Sequence, residues 1–103
     1  MDTNASFKVI GDGTAKVATP GTAVQLTATS TPCRFVEVTA FSENVGVLSL
    51  GSSTTLATAG ARRGRELAPG QMITVRIEDV SSLYIDGLNA NDGVAYAYYK
   101  VTQ

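Results

Sequence analysis

Residues 71–78 read Gln-Met-Ile-Thr-Val-Arg-Ile-Glu, and the alternation in that octet constrains the chain more than any other feature. Met72, Thr74, Arg76 and Glu78 fall on one face of an extended segment, and Ile73, Val75 and Ile77 fall on the other. Side chains alternate faces along a strand, so a period of two buries one set and leaves the other in water. The same period recurs along the chain. In residues 22–29, Val24, Leu26 and Ala28 oppose Gln25 and Thr27. In residues 33–41, Val36, Val38 and Ala40 oppose Phe35, Glu37 and Thr39. Residues 45–50, 83–88 and 94–101 read as further strands. Helical periodicity is absent.

Turn residues punctuate these runs. Gly11-Asp12-Gly13 predicts a tight turn between strands at 6–10 and 14–18, because glycine reaches positive φ without steric cost. Pro20-Gly21, Ser30-Thr31-Pro32, Ser42-Glu43-Asn44 and Gly51-Ser52-Ser53 close the next segments. Asn91-Asp92-Gly93 predicts a hairpin connection that makes the last two strands a pair. Residues 54–70 show neither a period of two nor an apolar face, and are expected to form a long surface excursion.

Seven or eight strands at spacings of about ten residues predict an all-β fold. The expected architecture is a single antiparallel β-sandwich, jelly-roll-like or related. A chain of 103 residues fits one domain, here 1–103, with 1–6 as a flexible N-terminal arm. Such a domain buries roughly 65% of its unfolded surface, a thin core that gains from assembly with neighbours.

The chain has no histidine and one cysteine. Ser-His-Asp and Cys-His catalytic arrangements therefore cannot be built, nor can the usual zinc sites. Most of the carboxylates fall at turns or on solvent faces. The expectation is a protein without enzymatic activity and without a cofactor. Cys33, beside Arg34, reads as a small buried hydrophobe rather than an activated thiolate. Asp86, Asn89, Asn91 and Asp92 precede Gly93 as oxygen donors, but their spacing is not that of an EF-hand, and a turn needs the same residues. Eight basic against nine acidic residues ask for neither nucleic acid nor an anionic membrane. No stretch is long enough to span a membrane, and the start Met1-Asp2-Thr3-Asn4 lacks a signal pattern, so a reducing compartment is expected.

What is left is binding. A surface of small neutral residues is easily desolvated and favours packing against protein. Arg62, Arg63 and Arg65 form the only dense charge cluster. They are solvated or docked on a partner's carboxylates; a nucleic-acid contact would lack interleaved aromatics for stacking. Asp2, Thr3, Asn4 and Phe7 belong to an arm that orders on a neighbour. Tyr84, Tyr96, Tyr98 and Tyr99 are candidate interface aromatics, with Tyr96 and Tyr98 on one face and Tyr99 opposite.

The chain also resembles a family of small bacteriophage virion proteins. The resemblance runs over Gly21-Thr22-Ala23-Val24-Gln25-Leu26, Pro32-Cys33, Val36-Glu37-Val38-Thr39-Ala40 and Asn44-Val45-Gly46 with the following residues to Ser52. It continues through Leu67-Ala68-Pro69-Gly70, Leu83-Tyr84-Ile85-Asp86-Gly87 and Asp92-Gly93-Val94-Ala95-Tyr96. The order and spacing of these pieces carry it, over about three quarters of the chain. It implies a β-sandwich of the virion: a decoration (cement) protein made in the bacterial host cytoplasm, seated on the outer capsid surface and bridging major capsid subunits as a homodimer or homotrimer. A tail, neck or fibre component is the alternative within the resemblance. A carbohydrate-binding module using Tyr84 and Tyr99 is the alternative outside it. The insertion Arg62-Arg63-Gly64-Arg65-Glu66 departs from the family pattern.

Overall fold

The computed structural model describes residues 6–101. Eight strands form two four-stranded antiparallel sheets. They are β1 (Phe7–Lys16), β2 (Val24–Gln25), β3 (Phe35–Ala40), β4 (Leu48–Gly51), β5 (Arg65–Leu67), β6 (Met72–Arg76), β7 (Tyr84–Gly87) and β8 (Gly93–Val101). Sheet order is β1-β8-β3-β6 in one layer and β2-β7-β4-β5 in the other. The pairs β1·β8, β2·β7, β3·β6 and β4·β5 nest inside one another, and β3·β8 and β4·β7 join them into sheets. That is one long antiparallel ribbon rolled up, the connectivity of a jelly roll. The fold is thus the predicted β-sandwich.

The alternation read from the sequence sets the core. Val36, Val38 and Ala40 of β3 and Val94 of β8 are fully enclosed, as are Leu48, Leu67 and Ile85 from the facing sheet. Ile73, Val75 and Tyr98 pack against this cluster from one side. Tyr96 is buried within it and donates its hydroxyl to the Leu26 carbonyl at 3.2 Å. Burial holds its phenol above the ordinary value, with Tyr98 and Asp12 adding to the effect.

Four expectations change. Gly11-Asp12-Gly13 is not a turn; it lies inside β1, a continuous ten-residue strand. The register shifts between Val9 and Gly11, so Ile10 is an extra, bulged residue. Phe7 and Val9 pair with Val101 and Tyr99, whereas Gly11 and Gly13 pair with Tyr98 and Tyr96. The bulge thereby turns both glycines inward. A Cβ on Gly13 would stand 2.6 Å from the Tyr96 hydroxyl, and one on Gly11 would overlap the Tyr98 hydroxyl. These glycines make room for tyrosine rings, not for a bend.

Second, β7 and β8 are not a hairpin, because they belong to different sheets. Asn91-Asp92-Gly93 is a corner between layers. Asn91 takes the left-handed conformation (φ 74°), and the Asp92 carboxylate accepts from the amides of Val45 (2.9 Å) and Gly46 (3.0 Å). Asn44 closes the corner: its side chain accepts from the Gly93 amide (2.8 Å) and donates to the Gly93 carbonyl (2.9 Å). Third, residues 54–70 are not a bare excursion. They contain β5 and a bridge between Leu56 and Arg63, and they bury Thr55 and Ala57. Fourth, the strand expected over 22–29 shrinks to β2.

Asp79 ties two connections together. Its carboxylate accepts from the Ser30 hydroxyl (2.7 Å), the Thr31 amide (2.8 Å), and the hydroxyl (2.7 Å) and amide (2.9 Å) of Ser81. These donors, Ser30 foremost, hold it far below the usual carboxylate range. A lowered folded-state pKa adds stability that is complete above the unfolded value of about 3.9 and fades as pH falls towards the folded one. Asp79→Asn is therefore expected to unfold at lower urea than wild type at neutral pH, with the gap closing below about pH 4. A gap of unchanged size at about pH 2 would refute this linkage.

Candidate interaction surface

The two outer faces of the sandwich differ. That of the β2-β7-β4-β5 sheet is roofed by the chain itself. Asp86, fully buried there, accepts from the amides of Gly21 (2.9 Å) and Ala57 (2.8 Å), drawing two loops over the sheet. Beside it, the hydroxyls of Ser49 and Thr55 lie 2.8 Å apart and both within reach of the Arg63 carbonyl, so that one donates to the carbonyl and the other to its neighbouring hydroxyl. The oxygens that recommended Asp86 and Asp92 as ligand donors in the sequence are thus engaged by backbone amides.

The outer face of the β1-β8-β3-β6 sheet has no such roof among the described residues. Strand parity puts Phe7 and Val9 of β1 on it, with Tyr99 and Val101 of β8, Phe35 of β3 and Arg76 of β6. Phe7 and Val9 are 46% and 55% exposed, and Met72 near the opposite end is 55% exposed. Large apolar side chains on a face that no described residue covers make it the candidate interaction surface. Phe35 stacks on Tyr99 with centroids 4.6 Å apart, and Phe7 meets Phe35 edge-on at 4.9 Å. The Tyr99 hydroxyl donates to Glu37 at 2.7 Å, a bond lost on ionisation, which holds the phenol above its ordinary value. Ala95 and Ala97 leave a shallow trough between Glu37, Thr39 and Met72, with a volume of about 200 Å³.

A larger cavity, about 490 Å³, opens at the end of this face where β1 begins and β8 finishes. Phe7, Phe35, Ile77 and Val101 form its apolar wall, and Arg34, Arg76 and Glu78 its charged rim. Cys33 also borders it. The thiol is buried, donates to the Ile77 carbonyl at 3.2 Å, and has its pKa raised by burial and then by the charge of Asp79. It is the small hydrophobe expected, not a thiolate.

The predicted contact residues separate. Phe7 and Tyr99 come together on the open face. Tyr96 is core, and Tyr98 lines the inner face over Gly11. Tyr84 sits in β7 of the other sheet, so Tyr84 and Tyr99 build no common platform. Arg62 is engaged within the chain, through Glu66 at 3.1 Å and the Ala57 carbonyl at 3.1 Å. Arg65, in β5, and Arg63, two residues before it, are exposed; β5 belongs to the other sheet from Phe7. Asp2, Thr3 and Asn4 lie outside the described residues.

Sequence reasoning missed Arg34, Arg76, Val9 and Met72. A signal existed for the last: Met72 and Phe35 are large apolar residues in the sets assigned to solvent. Arg34 and Arg76 carry none, since only the β3·β6 pairing brings them together. The candidate surface has no precedent to lean on: no protein-family model matches the chain, and neither a curated protein nor a solved structure does.

Proposed function

We propose that the chain is a non-enzymatic structural protein of a bacteriophage particle, a decoration or cement protein on the outer capsid surface. One observation carries the reading beside the family resemblance: a tightly tied jelly roll with one face roofed and the other presenting Phe7, Val9, Phe35, Tyr99 and Met72. A cement protein needs a stiff frame and a face that packs on neighbours, and its partner here is the major capsid protein, together with further copies of itself. An interface of standard size, about 1,600 Å², repeated over a shell, gains strength by avidity rather than by any one contact. Arg65, in β5 of the roofed sheet, and Arg63, two residues before it, provide a second contact with carboxylates of an adjacent subunit.

Quantitative mass spectrometry of purified particles tests this. The expected result is hundreds of copies per particle, close to the number of capsid subunits. A few to a few tens of copies would move the protein to the tail, neck or fibre, and absence from particles would end the reading.

A further inference from the structure

We infer that the cavity at the end of the open face is a docking pocket for an extended acidic peptide segment of a partner protein, taking a large apolar side chain with a carboxylate next to it. The inference rests on the reading that this face packs on another protein, and adds which chemistry it selects. Register places Arg76 directly across from Phe35. The Arg34 amide donates to the Tyr99 carbonyl, which holds that residue at the same end of the sheet. Neither arginine makes an ion pair among the described residues; Arg62 and Glu66 form the only one. The rim therefore carries two uncommitted guanidiniums against one carboxylate, Glu78.

The wall behind them is apolar and partly aromatic. A volume of about 490 Å³ exceeds one side chain and lies within the range of ligand pockets. Arginine binds a carboxylate in a two-point fork, and that geometry is strongest where water is partly excluded. An apolar side chain on Phe7 and Phe35 brings the adjacent carboxylate to such a place. A basic segment would meet two like charges, and a neutral one would leave both guanidiniums unmatched. The pocket thus discriminates by charge while the apolar wall supplies contact area.

The test uses the whole protein, ¹⁵N-labelled, and three blocked tetrapeptides: acetyl-Thr-Phe-Asp-Thr-amide and its Asn and Lys counterparts. The Asp peptide is expected to shift the amides of Arg34, Phe35, Arg76 and Ile77 with a Kd on the order of 1 mM, ordinary for a ligand this small. The Asn peptide should bind at least fivefold more weakly and the Lys peptide weaker still, the loss of one charge-assisted pair. In Arg34→Gln/Arg76→Gln, whose fold the same spectra report, Asp and Asn peptides should bind alike. Arg76→Gln alone should lose part of the preference. No shift at these amides, equal binding of Asp and Asn peptides by wild type, or a preference that survives both substitutions would overturn the inference. Particle composition reports separately: abundant copies with no peptide selectivity would sink the pocket alone, and selectivity with no copies on particles would sink the virion reading alone.

Discussion

Asp86→Ala is expected to lower the unfolding free energy by about 4 kcal/mol, the largest loss from any single polar side chain here. The carboxylate is fully enclosed and satisfies the amides of Gly21 and Ala57, which come from two different loops. Alanine leaves the enclosed Ala57 amide without an acceptor, at about 1–3 kcal/mol, releases the exposed Gly21 turn from its charged anchor, and leaves a small void besides. A domain of this size has about 5–15 kcal/mol in total, so the variant approaches the limit of folding. Its melting temperature should fall by roughly 15–30 °C. Asp86→Asn keeps one acceptor oxygen but turns a donor towards a donor, and should fall between the two. Urea unfolding followed by circular dichroism measures the effect; a loss under about 1 kcal/mol would mean that the loops are held by something else.

Gly93→Ala is expected to cost about 3 kcal/mol or more, although it adds a single methyl group. That methyl would overlap the Ala15 carbonyl oxygen and stand 3.1 Å from the Lys16 Cα, both backbone, and 3.0 Å from the Phe41 ring. No rotamer change relieves a backbone collision. Nor does the strand have room to retreat. The Gly93 amide and carbonyl are both held by Asn44, and the carbonyl also accepts from the Phe41 amide at 2.9 Å. Gly60→Ala is the control. Gly60 has positive φ (82°) but nothing near its would-be Cβ, so only the left-handed conformation is penalised, by about 1 kcal/mol. Matched melts of the two variants separate close approach from conformation. Equal losses would show that Gly93 is not needed for space.

These two residues also show what a single sequence conceals. The inward sets of β3, β6 and β8 were legible because burial on one face writes itself as a period of two. Glycine and aspartate do not announce their purpose in that way. Gly11 and Gly13 look like turn residues and instead accommodate Tyr98 and Tyr96 across a strand pair. Asp86 and Asp92 look like turn residues or ligand donors and instead gather loop amides from distant segments. Gly93 ends a stretch that resembles a hairpin connection, yet the chain changes sheet there. The open face was half legible. Alternation assigned Phe35 to the outward set, but whether a loop lies over that set depends on tertiary packing. The arginine cluster was visible, whereas the link from Arg62 to Ala57 and Glu66 was not.

The nested pairing has a consequence for how the molecule comes into being. β1 emerges from the ribosome first among the strands, yet its sole neighbour is β8, the last. At about 5–20 residues per second, β1 waits several seconds or more for that neighbour. Sandwiches dominated by such distant pairings then fold in milliseconds to seconds, so nearly all of the delay is synthesis. Throughout it, Phe7, Val9 and Ile10 stand in solvent on an unpaired strand. The same strand carries Lys8, Lys16 and a bulge at Ile10, the devices that discourage an open edge from joining the wrong chain. The strand with the longest wait is thus one that carries its own guard against premature partners.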